Sequence, residues 1–284
     1  MPYAKNKDVS LYYESYGPQN GPSLIMIEGY TAQMVGWERG FVENLNAAGI
    51  RTILMDNRDV GLSSQVAGPD ETGKCYSVAD MADDVVAVAD ACGLKKFHVL
   101  GQSMGGMIAQ QLLVSHADRL KSASILFTAP ANQPQWMSES NSSGDSETKG
   151  LEAADSRDEA IEIFISRERA CHEGSVYGFD EQWARELGGI TYDRCYRVDG
   201  WRRQQAAMSD FAIDADKLKA STVPSVVIHG RNDPFFNDAA TWFIADHLKN
   251  SELHVYPGMA HEIPRALWGE FTTIIARTIR RGEQ

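Results

Sequence analysis

Five short runs of this chain are predominantly apolar and continuous rather than alternating: residues 24–27 (LIMI), 52–55 (TILM), 97–100 (FHVL), 123–127 (ASILF) and 225–229 (SVVIH). A strand with one wet face alternates apolar and polar residues. A continuous apolar run of this length instead suits a strand covered on both faces, as in a parallel sheet. Helix-length stretches lie between the runs. Residues 78–92 place Val78, Met81, Val85, Val88 and Ala91 at spacings of three and four, behind Ser77 as an N-cap. Residues 104–115 and 237–249 read as two more helices, and LHVY at 253–256 as a last strand. Strand–helix alternation of this kind predicts an α/β fold, a mostly parallel central sheet flanked by helices. Only the start differs, where Val9, Leu11 and Tyr13 alternate as in an antiparallel edge hairpin.

One segment breaks the rhythm. From Asn132 to Ser209 no buried strand is visible, and NQPQWMSESNSSGDSETKG is polar and turn-rich, as expected of a mobile linker. Residues 157–188 then read as helical, with Ile161, Phe164, Ile165 and Trp183 as packing positions. The division that follows is a core of residues 1–131 and 210–284 with a helical cap inserted at 132–209. A cap at that point would lie over the carboxyl ends of the strands, where open α/β sheets bind ligands.

The 284 residues carry 27 Lys and Arg against 39 Asp and Glu, a net charge of −12. A negative field repels phosphate backbones and anionic lipid heads, so neither nucleic acid nor a membrane surface is expected as a partner. The start, MPYAKNKDVS, has no apolar run to serve as a secretory signal, and no stretch reaches the length of a spanning helix. Cys75, Cys92, Cys171 and Cys195 lack C-x-x-C spacing and read as reduced thiols. Together these point to the cytoplasm. No pair of histidines has metal-ligand spacing, and neither a metal nor an organic cofactor is expected.

The chemistry concentrates in Gly101-Gln102-Ser103-Met104-Gly105, directly after one strand and directly before a helix. A serine on a tight strand-to-helix turn needs glycines around it. That turn lifts the hydroxyl above the sheet and aims the next backbone N–H, of Met104, at a reacting carbonyl. A serine needs a base, and the base an orienting acid, in the chain order Ser…Asp…His. Asp233 follows the strand SVVIH, and His261 follows LHVY in the loop Pro257-Gly258-Met259-Ala260-His261. A parallel sheet brings such strand-end loops to one edge. The rival acids, Asp56 and Asp59, precede the serine and fit better as local braces of their own loop. His98 and His229 lie within or at the end of strands, where hydrogen bonding in the core accounts for them.

On DNRDVGLSS, HVLGQSMGG, Asp233 followed by Pro234, and PGMAHEIP, the chain resembles the α/β-hydrolase superfamily, and within it the aclacinomycin methylesterase-like serine esterases. The resemblance covers nearly the whole chain outside the insertion. It implies Ser103 as nucleophile, Asp233 as acid and His261 as base. The oxyanion hole it implies is the backbone N–H of Met104 and of Tyr30. One departure stands out: many relatives carry His-Gly in the first loop, where this chain has Glu28-Gly29-Tyr30. A carboxylate beside a developing oxyanion opposes catalysis, so Glu28 must point away, be paired, or hold a proton.

Met34, Trp37, Met107, Trp136, Met137, Phe235 and Phe236 are candidates for a substrate pocket, which would favour an apolar ligand. Arg194, Arg197, Arg202 and Arg203 form either an anion site or a solvated helix face. The expected activity is a cofactor-free serine esterase acting on a small, fairly hydrophobic ester. A methyl ester of a polycyclic natural product is one substrate that the resemblance implies. Lactone hydrolysis and carbon–carbon bond hydrolysis can use the same triad. A ligand receptor or a cyclase on the same fold is the alternative outside hydrolysis. Composition and motifs leave the oligomeric state open.

Overall fold

The computed structural model describes residues 2–66, 75–139 and 154–284. Eight strands form one sheet: β1 (Tyr3–Asn6), β2 (Val9–Tyr16), β3 (Ser23–Ile27), β4 (Arg51–Met55), β5 (Phe97–Gln102), β6 (Leu120–Leu126), β7 (Ser225–Gly230) and β8 (Ser251–Tyr256). Their spatial order is β1-β2-β4-β3-β5-β6-β7-β8. The β1–β2 hairpin is antiparallel, β2 joins β4 antiparallel, and every later pairing is parallel. The sequence expectation of a parallel sheet with an antiparallel edge holds.

The runs do not alternate because each strand feeds two cores. Ile25, Ile27, Ile53, Val99, Ile125 and Val227 pack on one face. Their chain neighbours Leu24, Met26, Leu54, Leu100, Leu126 and Val226 pack on the other. The first face is covered by α2 (Val78–Ala91) and α3 (Met104–Ser115), the second by α1 (Arg39–Ala47) and by Phe271, Ile274 and Ile275 of the C-terminal helix Trp268–Gly282. Helix α2 starts where the sequence predicts. The Asp80 N–H donates to Ser77 Oγ, and the Ser77 N–H donates to Asp80 Oδ2 at 2.9 Å, a reciprocal cap.

After β6 the chain leaves the sheet. It forms α4 (Arg157–Cys171), α5 (Glu181–Arg194) and α6 (Val198–Ser209), then returns through α7 (Ala215–Ala220) to β7, with α8 (Asp238–His247) and α9 (Trp268–Gly282) to follow. Residues 157–188 are therefore not one helical run. Asp180 starts α5 as an N-cap, its carboxylate accepting from the Trp183 N–H at 2.9 Å, and the chain between the two helices is a loop. Departure and return are side by side. Ala131 and Ala212 form an antiparallel bridge, with the Asn132 N–H bonded to the Phe211 carbonyl and the Ile213 N–H to the Pro130 carbonyl.

The expectation of a mobile linker divides in two. Residues 140–153 lie outside the described residues. Before them the chain is held: Met137 bridges Phe236, the Ser138 N–H donates to the Phe235 carbonyl, and Asn237 Nδ2 donates to the Gln135 and Met137 carbonyls. Among the described residues no helix is long and apolar enough to cross a membrane.

Arg194, Arg197 and Arg203 are neither an anion site nor a solvated face, whereas Arg202 is exposed. Arg203 makes a bidentate pair with Asp59, at 2.9 and 2.7 Å. Arg194 sits 2.7 Å from Asp56 and donates to Gln33 Oε1, and Arg197 donates to the Ser63 carbonyl. Asp56 and Asp59 do brace their own loop, accepting from the Met34, Leu62 and Val66 N–H groups. Their remaining capacity goes to the inserted helices, so the 56–64 loop is a docking ledge for α5 and α6.

Candidate active site

A cavity of about 720 Å³ opens between the carboxyl ends of the strands and helices α4–α6. Ser103, at the end of β5 and the start of α3, lies on its wall. The serine has φ 54°, a left-handed backbone conformation that residues other than glycine rarely adopt. Its setting holds it there. The Ser103 N–H donates to the Leu126 carbonyl, and its own carbonyl accepts from Gly106, Met107 and Thr128 Oγ1. The turn needs its glycines for room: a Cβ on Gly101 would lie 2.0 Å from the Gly105 carbonyl oxygen, and one on Gly105 2.2 Å from that of Ile27.

Across the cavity edge, His261 Nδ1 meets Asp233 Oδ2 at 2.8 Å. The other carboxylate oxygen, Oδ1, accepts from the Phe235 and Phe236 N–H groups at 2.8 and 3.0 Å, which fixes the plane of the acid. Burial pushes the Asp233 carboxyl up, but the charge and hydrogen bond of His261, with His229 and the Phe236 amide, outweigh it and hold it below the usual carboxylate range. The imidazole is boxed by rings: Phe127 and Phe235 stand edge-on at 4.8 and 4.9 Å, and Phe236 is tilted at 5.7 Å. The His261 N–H donates to the Cys171 carbonyl at the end of α4, tying the histidine loop to the inserted helices. Ser103 and His261 share the cavity wall.

Tyr30 is also on the wall, and Gly29 beside it passes close enough to Ser103 that an added Cβ would lie 3.2 Å from the serine Cβ. Met104 buries its side chain completely in the core, so only its backbone is near the serine. As a first helical residue, its N–H has no carbonyl one turn earlier to bond. Glu28 is paired and also inclined to hold a proton. Its Oε2 accepts from the Gly29 N–H at 3.1 Å and from Gln102 Nε2 at 2.5 Å. Burial nevertheless pushes its carboxyl up to about 8, against those two hydrogen bonds.

Of the expected pocket residues, Trp37, Met107, Phe235 and Phe236 line the cavity. Met34, Trp136 and Met137 do not, and each has a physical reason. Met34 is 3% exposed and packs beneath the cavity with Phe41 and Leu45. Trp136 lies against Phe243 of α8, ring centroids 5.1 Å apart. Met137 is held in its backbone bridge to Phe236 and packs on the core. The wall takes instead Gln102, Phe127 and several groups of α4, among them Phe164, Arg167 and Glu168. The sequence carries a signal for Glu168: it continues the helical stripe 161, 164, 165, 168, where an apolar residue is expected. Phe127 has none beyond its place at the end of a strand.

None of the four cysteines is in a disulfide. Among the described residues no group of three or more His, Cys, Asp or Glu side chains is arranged to hold a metal ion.

Comparison with known proteins covers nearly the whole chain. A protein of Variovorax paradoxus named as a carbamate hydrolase is 29% identical over 263 residues, 90% of this chain and 91% of the relative. A rhodomycin D methylesterase of Streptomyces is 24% identical over 279 residues, 92% and 91% of the two chains. The structure of an esterase from Thermogutta terrifontis superposes with a TM-score of 0.75 at 19% identity, covering 99% of this chain and 97% of the other, a likeness of fold alone. Residues 22–264 match the family described as the alpha/beta hydrolase fold. That match spans the turn at Ser103, Asp233 and the loop of His261, and the chain belongs to the α/β-hydrolase family.

Proposed function

We propose that the protein is a serine hydrolase that cleaves a carboxylic ester of a small, fairly hydrophobic molecule through an acyl-enzyme. The observation that carries this reading is the 2.8 Å hydrogen bond from His261 Nδ1 to a buried Asp233, on the wall of the cavity that also holds Ser103. With Nδ1 committed to the acid, Nε2 is the nitrogen left to take the serine proton as Oγ attacks the ester carbonyl. Asp233 fixes that tautomer and stabilises the imidazolium. The Tyr30 and Met104 N–H groups receive the tetrahedral oxyanion, a contact whose loss typically costs about 3–4 kcal/mol of barrier. The same imidazole then returns the proton to the leaving alkoxide and activates water to release the acid.

The rings around His261 make its surroundings apolar and favour an apolar acyl or alcohol group. Helices α4–α6 act in this reading as the cap that selects the substrate. The methylesterase relative supports an ester. The relative named as a carbamate hydrolase makes carbamates the competing substrate class, alongside lactones and diketones, for one triad can serve all of them.

Ser103→Ala should fold with an unchanged melting temperature and lose about 10⁴-fold or more in kcat/KM on its best ester. A fluorophosphonate should label the intact protein once and the variant not at all. A variant that kept a tenth of the activity would remove Ser103 as nucleophile. A panel in which a carbamate, lactone or diketone outpaced every ester would reassign the substrate class but leave the triad in place.

A further inference from the structure

The cavity wall is rich in acids, and all but one have donors within the protein. Glu28 accepts from Gly29 and Gln102, Glu262 from Ser175 and the Ala260 N–H, Glu38 and Asp180 from Arg265, and Glu181 from Arg169. The exception is Glu168 of α4, to whose carboxyl no described residue donates a hydrogen bond. It is partly buried, and Phe164, Arg167 and Cys171 of the same helix share the cavity wall with it.

None of the cations on the wall donates a hydrogen bond to it. Arg167 is its chain neighbour, and adjacent positions on a helix do not face each other. The Arg167 guanidinium donates instead to Thr31 Oγ1 at 2.6 Å and lies over the Tyr30 and Trp201 rings. Arg265 is taken by Glu38 and Asp180. His261 gives its Nδ1 to Asp233, and His172 gives its own to the backbone carbonyl of Glu168. Burial pushes the Glu168 carboxyl above its ordinary range, against the charges of Arg167 and His261. A carboxylate among apolar groups without a donor is costly unless something arriving in the cavity completes it. The net charge of −12 favours that arrival when the group is a cation.

We propose that Glu168 is the specificity-determining residue of the cavity, receiving the protonated amine of an otherwise apolar ester. This rests on the reading of the cavity as an ester-hydrolysing site. The rings beside His261 hold the apolar body next to Ser103, and the ammonium group reaches up to α4. A charge-assisted hydrogen bond in a partly desolvated site contributes about 1.5–3 kcal/mol, so the expected preference is about 10- to 100-fold.

The test compares the nitrophenyl ester of an ω-amino acid with its chain-matched alkanoate, at a pH where the amine is protonated. The intact protein should favour the amino ester in kcat/KM by about 10- to 100-fold, and Glu168→Gln should bring the ratio of the two close to one. An intact protein without the preference overturns the proposal, as does a variant that keeps it. Calorimetry with the corresponding ω-amino amide, on the intact protein and on Glu168→Gln, separates this from the underlying reading. Amine binding that depends on Glu168, with neither ester hydrolysed, would sink the esterase reading and leave Glu168 as an amine site. Both esters hydrolysed at one rate, with no Glu168-dependent amine binding, would do the reverse.

Discussion

Ser103 and Glu28 show how single residues are held in states that they do not prefer. The serine sits at φ 54°, kept there by backbone bonds to Leu126, Gly106 and Met107. Glu28 is 1% exposed, and its carboxyl is pushed up to about 8 by that burial. The sign of the consequence follows from linkage. The unfolded chain releases this proton near the ordinary glutamate value, whereas the folded chain holds it until about pH 8. The folded state therefore binds more protons over that interval, and stability falls as pH rises through it. Glu28→Gln keeps the shape without the titration. Its unfolding free energy should change less between pH 5 and pH 9 than that of the intact protein, by about a few kcal/mol. Parallel urea titrations at the two values would show this, and equal slopes would mean that Glu28 is ionised throughout. The sequence reading could state that Glu28 must be paired or protonated, but burial, which is a property of the folded loop, was needed to show that both hold.

At the scale of elements, strand ends were legible and side-chain directions within loops were not. Ser103, Asp233 and His261 follow apolar strands of one parallel sheet, so their loops had to converge on one edge. Met34, Trp136 and Met137 also lie in loops near that edge, yet a loop's sequence does not say which way its side chains turn. Trp136 turns to Phe243. Trp136→Ala should therefore lower the melting temperature by several degrees and reduce turnover of bulky and short esters by the same factor. A loss confined to bulky esters would return Trp136 to the cavity. Helix α9 repeats Phe271, Ile274, Ile275, Thr278 and Ile279 along one face, a pattern open to view that the sequence expectation above does not include.

The ledge formed by residues 56–64 lends itself to a sharper test. Arg203 and Asp59 are both buried, with side chains 6% and 0% exposed. Removing one partner of a buried pair strands the other's charge, at a cost of about 3–5 kcal/mol. Arg203→Met should destabilise by that order, and adding Asp59→Asn should recover part of the loss. A double-mutant cycle in urea with no coupling between the two sites would show that the pair does not hold α6 to the core.

Over the whole molecule, charge is the property most plainly written in the composition. A net −12 steers cations and repels anions at distances up to about one Debye length, ~10 Å at 0.1 M salt. Raising the ionic strength should lower kcat/KM for a cationic ester and leave a neutral ester of the same shape unaffected. A salt response shared by both would point to a change in the protein itself. Layer architecture was equally legible, since runs that are apolar on both faces leave few folds other than a covered parallel sheet. The relation of α4–α6 to the core was not, because it depends on arginines meeting aspartates more than a hundred positions earlier, and no local pattern announces that pairing.

The bridge between Ala131 and Ala212 has a different consequence. The chain departs and comes back through a doorway one residue pair wide, and Ser103 lies on the near side of it while Asp233 and His261 lie beyond. A segment entering and leaving by one doorway can be exchanged for a foreign one without altering the distance its ends must span. The substitute would have to bring its own arginines for Asp56 and Asp59, for otherwise two buried carboxylates would be left without a counter-charge. Compatibility between donor and host is thus written mainly in the loop 56–64, and a graft chosen for that match should inherit the chemistry of the host and the tastes of the donor.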